Sequence, residues 1–369
     1  MKNTECKKTL RHQVGSLFIV GLEDVSLSTM EASWLRSLQP SGIILFRRNI
    51  ESAKQLHSMF HSLSAGSNHP LESTFFRCVD LEGGTVDRLR DLIGQTPSAA
   101  DVAATGKSAL YKKHGLVIGR MLATLGFNVD FAPVLDLATP ACRSVMGTRV
   151  VSDNPAIVTQ YVRAFLAGLA THGVYGCGKH FPGLGSGTFD SHHATPKIDR
   201  TLKQMEPDIA PYCALRSSLP FVMVNHAAYP KIDRTRQPAS LSHFWITEIL
   251  RKRIGYRGLI LSDDMEMGGV LKHTSIQEAS IQAIAAGTDL IEVCHRADRI
   301  ISSYEAILRE AELSPAFAHI VSAASARVLR AKQRLLRQHS LPRAASASQM
   351  DRLRNNLKQF TSEIMEQPR

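Results

Sequence analysis

Eight short apolar runs, each followed by an amphipathic helical stretch, divide most of the chain into β-then-α units. The runs are Leu17–Leu22, Gly42–Phe46, Phe76–Asp80, Val129–Pro133, Gly173–Gly178, Phe221–Asn225, Leu259–Asp263 and Asp289–Val293. Helical patterns include Ser52–Leu63, Lys113–Leu125, Pro155–Leu169, Ser242–Lys252 and Ile276–Ala286. Strands that are apolar along most of their length suit a parallel sheet buried on both faces. Eight such units in about 300 residues predict a closed (β/α)8 TIM barrel, with a doubly wound open sheet as the competing arrangement. No Pro/Gly/Ser-rich linker divides the chain, so residues 1–340 read as one barrel. Residues 341–369 read as a basic, polar C-terminal extension that packs loosely as a last helix or is partly disordered.

Composition narrows the function classes. No stretch approaches the roughly 18 apolar residues of a membrane helix. The apolar run from Val14 to Leu22 has no small-residue cleavage pattern after it, so a cytoplasmic protein is expected. Cys78, Cys177 and Cys294 lie in or beside apolar runs and read as buried reduced thiols. There is no CxxC pair, so no structural metal is expected, and nothing implies a cofactor. The net charge is +11. Much of the excess lies in Arg327, Arg330, Lys332, Arg334, Arg337 and Arg343, which read as a solvated helix face. No nucleic-acid motif accompanies them, so a nucleic-acid partner is not expected.

Polar residues gather where strands end. Asp80, Lys179 with His180, His226 and Asp263 each close an apolar run, and in a barrel those ends form the active-site face. Three segments carry the chemistry. In GLILSDDMEMGG (258–269), side-chain alternation allows only one of Asp263 and Asp264 to face a cleft. Asp264 alone could equally be a helix N-cap. In GKHFPGLGSGTFDSHHATP (178–196), a Gly-rich loop carries Asp190, His192 and His193, and an Asp two residues from a His can orient it and keep it basic. The same residues could form a metal site, a phosphate cradle or a purely structural loop. In RCVDLEGGTVDRL (77–89), Asp80 and Arg88 could bind sugar hydroxyls. Glu82 could be an acid, but reads better as a brace for the loop through a salt bridge.

The segments VDLEGGTVDRL, FAPVLDL, MGTRVVSDNP, KHFPG…DSH, HAAYP…PASLS and RGLILSDDMEM occur together in that order. As a set they resemble the glycoside hydrolase family 3 β-N-acetylglucosaminidases, the β-hexosaminidases of peptidoglycan recycling, from about Gly15 to Leu336. The resemblance implies Asp263 as nucleophile, His192 as general acid/base and Asp190 as its orienting partner. It implies that Asp80, Arg149, Lys179 and His180 hold the terminal sugar. Leu184, Met265-Glu266-Met267 and Val150-Val151 depart from the family pattern but remove no catalytic position.

The expected activity is therefore retaining removal of a non-reducing terminal β-linked N-acetylglucosamine from muropeptide fragments, by a monomer acting on carbohydrate. Relatives with a second domain draw a Glu acid/base from elsewhere, so the one-domain reading favours the N-acetylglucosaminidase branch. A phosphorylase on the same barrel, a non-catalytic carbohydrate- or nucleic-acid-binding relative and a metal-dependent hydrolase are the alternatives.

Overall fold

The computed structural model describes residues 2–65, 75–185, 195–337 and 339–367. Eight parallel strands close into a barrel in chain order: β1 (Phe18–Gly21), β2 (Gly42–Leu45), β3 (Phe76–Val79), β4 (Val129–Asp130), β5 (Tyr175–Phe181), β6 (Phe221–Val224), β7 (Leu259–Asp264) and β8 (Leu290–Val293). β8 pairs with β1, with Ile19 opposite Glu292, and this leaves the barrel without an edge. Each strand falls on one of the eight apolar runs, and the open-sheet alternative is excluded.

The alternation of side chains along the strands builds two layers. Phe76 and Cys78, Leu259 and Leu261, Phe221 and Met223, with Ile19, Ile44, Val129, Cys177 and Leu290, form one buried cluster. The helix Pro315–Leu336 adds Val328, Ala331, Leu335 and Leu336 to it. That helix lies beside the strand starts, because Tyr175, the first residue of β5, donates its hydroxyl to the Leu335 carbonyl at 2.7 Å. The larger cluster lies between the strands and the surrounding helices. Cys78, Cys177 and Cys294 are free, buried thiols.

Local signals fix the helix ends. Ile276–Ala286 begins where the Ser275 hydroxyl caps the Glu278 amide and ends at Gly287, whose φ of 108° suits a residue without a Cβ. Pro155–Ala170 starts with an Asn154 cap and a proline in its first turn. The stretch Phe244–Arg253 takes π-helical hydrogen bonding.

Two expectations change. Arg327 does not merely line a solvated face: its guanidinium reaches the fully buried Asp289 carboxylate at 2.5 Å, which also binds Arg251 and accepts the Ile260 amide at 2.8 Å. Burying that anion at the start of β8 requires cations, and the helix Pro315–Leu336 supplies one. The C-terminal stretch is also more tightly held than its polar composition suggests. Ala347–Met365 is a helix that buries Met350, Leu353, Leu357, Phe360 and Ile364 in the main core, with Phe360 stacked on His114 at 5.7 Å. That i, i+3, i+4 stripe is what docks it.

Phe360→Ala should therefore cost about 3–5 kcal/mol in urea unfolding. A loss under about 1 kcal/mol would mean that the last helix contributes little to the core.

Candidate active site

A cleft of about 420 Å³ opens at the C-terminal ends of the strands, within the range of small-ligand sites. Asp80, Arg88, Arg149, Lys179, His180, His226, Asp263 and Glu292 all line it, so residues far apart in sequence meet in one place. Asp190, His192 and His193 lie outside the described residues. Leu184 and Pro196, on either side of that segment in the sequence, both line the cleft.

Two irregularities in the barrel shape this rim. Between β7 and β8 the register advances from Leu261 opposite Leu290 to Asp264 opposite Glu292, so β7 carries one extra residue. Between β5 and β6 it advances from Gly178 opposite Val222 to Phe181 opposite Val224, again with one extra residue on β5. A bulge breaks the strict alternation of side chains. The expectation that only one of Asp263 and Asp264 can face the cleft is thus corrected: both line it, as do Lys179 and His180.

The adjacent carboxylates have different surroundings. Asp264 accepts the Glu266 amide at 3.0 Å and pairs with His295 at 3.3 Å, an interaction that raises the His295 pKa. It thereby shapes the turn after β7 rather than capping the short helix that begins at Gly268, whose preceding residue is Met267. Asp263 accepts, among the described residues, one hydrogen bond, from the Asp264 amide at 2.9 Å, and has no cationic partner.

On the opposite side the charges are compensated. Lys179, buried at the end of β5, binds Asp80 at 2.8 Å and Glu82 at 2.6 Å. Arg149 grips Glu82 in a fork, Nε to Oε2 at 2.6 Å and Nη2 to Oε1 at 2.8 Å. Arg88 lies 3.6 Å from Asp80 and over the Phe46 ring, with its buried Nε unpartnered among the described residues. Burial alone would push the Glu82 carboxyl up, but Lys179 and Arg149 outweigh it and hold the pKa at about 2. Burial opposes the charge on Lys179, yet Asp80 and Glu82 raise its pKa. Glu82 is thus the brace that its sequence context suggests.

Asp136, Asn225 and His226 are among the residues that support the site without a role assigned from the sequence. Asp136 binds His180 Nδ1 at 2.7 Å and the His180 amide at 3.2 Å, while its other oxygen accepts the Leu184 amide at 2.8 Å. One buried carboxylate therefore orients the His180 ring and anchors the chain where it enters the Gly-rich loop. Gly183, at φ 121°, lies against Asp208, where an added Cβ would come within 2.7 Å of the Asp208 Cβ. Asn225 fixes the same corner by donating to the His180 carbonyl at 3.1 Å. His226 faces the Asp264 carbonyl with Nε2 at 2.9 Å, so that nitrogen carries the proton and Nδ1 accepts from Ser240 at 2.7 Å. Burial lowers its pKa and keeps it neutral. Among the described residues no three His, Cys, Asp or Glu side chains are grouped as metal ligands.

Removing Glu82 would leave Arg149 and Lys179 partly uncompensated in a buried setting. Glu82→Ala should cost about 3–5 kcal/mol in chemical unfolding. The Glu82 pKa is depressed, so its stabilisation is present above the unfolded carboxylate value of roughly 4.3 and is lost as the pH falls towards 2. Wild-type stability should fall over that acid range more steeply than that of Glu82→Ala. Equal slopes would contradict the brace.

Comparison with known proteins identifies the family. The glycosyl hydrolase family 3 N-terminal domain matches residues 9–331. A "Beta-hexosaminidase" of Bordetella avium (strain 197N) is 36% identical over 311 residues, covering 79% of this chain and 86% of that protein. Among solved structures, a glycoside hydrolase family 3 β-N-acetylglucosaminidase from Paenibacillus sp. str. FPU-7 superposes with a TM-score of 0.87 at 28% identity, over 96% of this chain and 68% of that one. A β-N-acetylhexosaminidase from Beutenbergia cavernae DSM 12333 gives a TM-score of 0.79 at 28% identity, over 88% of this chain and 98% of that one. A barrel rim lined with carboxylates and cations, on a chain matched along most of its length, makes this protein a glycosidase that belongs to glycosyl hydrolase family 3.

Proposed function

We propose that the protein is a retaining exo-β-N-acetylglucosaminidase acting on non-reducing terminal β-linked N-acetylglucosamine in peptidoglycan fragments, with Asp263 as nucleophile. The observation that carries this reading is the contrast between carboxylates. Asp80 and Glu82 are each neutralised by cations, whereas Asp263, at the bulged end of β7, has no cation beside it among the described residues. A free carboxylate facing the cleft is what attack on an anomeric carbon requires. The relatives, themselves called β-hexosaminidases and β-N-acetylglucosaminidases, supply the substrate class.

In the first step Asp263 attacks the anomeric carbon while a protonated acid hands its proton to the leaving oxygen, giving a covalent glycosyl-enzyme. Water, activated by the same group as a base, then releases the sugar with retained configuration. We assign the acid/base role to His192, with Asp190 fixing its tautomer. Chain connectivity supports this assignment, since His192 is four residues from Pro196 at the cleft wall, at most about 14 Å of extended chain. A histidine has an ordinary pKa of roughly 6.5, suited to giving and taking a proton near neutrality. Asp80, Arg88, Arg149, Lys179 and His180 bind the terminal sugar. The Lys179 and Arg149 cations serve hydroxyls remote from the anomeric carbon, where the transition state gains positive charge. A cytoplasmic monomer recycling wall fragments fits this reading, and no helix among the described residues is long and apolar enough to cross a membrane.

Release of nitrophenol from the aryl β-N-acetylglucosaminide, beside the aryl β-glucoside and with or without phosphate, tests the proposal. The N-acetyl sugar should be strongly preferred and phosphate should change nothing; formation of a sugar 1-phosphate would instead make the enzyme a phosphorylase. Asp263→Ala should lower kcat by about 10⁴-fold or more with the fold intact. His192→Ala should impair substrates with poor leaving groups far more than the activated aryl glycoside, because only the former need protonation. Near-normal turnover of Asp263→Ala, or equal losses on both substrates for His192→Ala, would overturn the respective assignment.

A further inference from the structure

Glu292 is an acidic residue in the apolar run Leu290–Val293, and the two-layer construction of the barrel leaves it no face towards water. Its column on β8, with Leu290 below, points to the barrel interior, and Glu292 lines the floor of the cleft with only 3% of its surface exposed. Its Oε1 accepts from the Cys294 thiol at 2.9 Å, while Oε2 is buried and has no hydrogen-bond partner among the described residues. The groups around it offer no cation of their own. Asp80 and Cys78 come from β3, Cys177 from β5, and Ser262, Asp263 and Asp264 from β7, while β1 presents Ile19. Lys179, in the same cleft, is already held by Asp80 and Glu82.

Resting on the sugar site proposed above, we propose that Glu292 is a further sugar-binding residue at the floor of the cleft, its Oε2 completing its hydrogen bonding with an oxygen of the bound sugar. An unpartnered buried polar atom is costly, and a ligand that partners it recovers that cost on binding. The last torsion of a Glu side chain is soft, so Oε2 is free to adjust towards a bound sugar. Arg88 Nε, buried and unpartnered on another wall, is a second group waiting for the same ligand.

The chemical form of the group follows from its surroundings. Burial first, then the nearby carboxylates Asp80, Asp264 and Asp263, raise the Glu292 pKa well above the ordinary value. That shift favours the protonated acid, and because Oε1 accepts the thiol proton, the acid proton is assigned to Oε2 as a donor. The sugar therefore meets a neutral donor at the floor, where Asp80 and Asp263 supply only acceptors. Raising the pH through the elevated pKa removes that donor and adds a negative charge beside those three carboxylates, so affinity falls. The same burial makes Glu292 a stability defect, since an acid kept neutral in the fold gives up stability as the pH rises past its unfolded value.

The test measures N-acetylglucosamine binding by titration calorimetry across a pH series, with aryl β-N-acetylglucosaminide turnover alongside, for wild type, Glu292→Gln and Glu292→Leu. Glutamine keeps a neutral donor and should bind within about threefold of wild type. It should also lack the alkaline decline that wild type shows. Leucine should bind about tenfold more weakly, while its Tm at neutral pH equals or exceeds that of wild type. Wild-type affinity in Glu292→Leu would overturn the proposal, leaving Glu292 a buried acid without a role. An alkaline decline retained in Glu292→Gln would overturn the donor assignment. If wild type neither binds nor hydrolyses the N-acetyl sugar, the sugar-site reading itself fails, and this inference with it.

Discussion

Closing eight parallel strands into a barrel forces their inward side chains into layers, and the site exists because two strands break that order. In a regular strand, consecutive residues face opposite sides, so Lys179 and His180, or Asp263 and Asp264, could not share a cleft. One extra residue in β5 and one in β7 remove the restriction where those pairs occur. Bulges beside active sites re-aim side chains in this way. Below them the layers of Phe76, Cys78, Phe221, Leu259 and Leu261 remain regular and apolar. The rigid lower barrel is therefore the platform on which a polar rim can be held.

Charge imposes the second condition. The rim carries Asp80, Glu82, Asp263, Asp264 and Glu292, and five carboxyl groups in one cleft cannot all be bare anions. The fold resolves this in distinct ways. Asp80 and Glu82 share Lys179, and Glu82 also takes Arg149. Asp264 pairs with His295 and binds the turn after β7. Glu292, with no cation beside it among the described residues, is pushed towards its protonated form by burial and by Asp80, Asp264 and Asp263. Of these five, Asp263 combines a partly exposed position in the cleft with the lack of a cationic partner among the described residues, and the proposed chemistry depends on that difference. Asp136 likewise serves two groups, since it orients His180 with one oxygen and holds the Leu184 amide with the other.

Much of this was legible in the chain. All eight strands lie on apolar runs recognisable by eye, and the helix Ile276–Ala286 begins and ends where its Ser275 and Gly287 signals say it should. Asp80, Lys179, His180, His226 and Asp263 were recognisable because each closes a run. What escaped depends on register and on distant partners. The bulges are properties of strand pairing, which no single strand displays. The partnership of Arg327 with Asp289 joins residues 38 positions apart. Asp136 and Glu292 did leave a signal, each being one acid inside an otherwise apolar stretch (Val134–Leu137 and Leu290–Val293). An acid in such a stretch must face a cavity or a partner, and here both do.

The central claim is that Asp263 forms a bond to the sugar. Its most direct test is to treat the enzyme with an activated fluorinated N-acetylglucosaminyl donor that slows release of the sugar, digest the protein and map the labelled peptide by mass spectrometry. The account predicts a single N-acetylglucosaminyl adduct in the segment containing Asp263, formed in step with loss of activity. An adduct on a different residue, or turnover that inverts the anomeric configuration and yields no adduct, would contradict it.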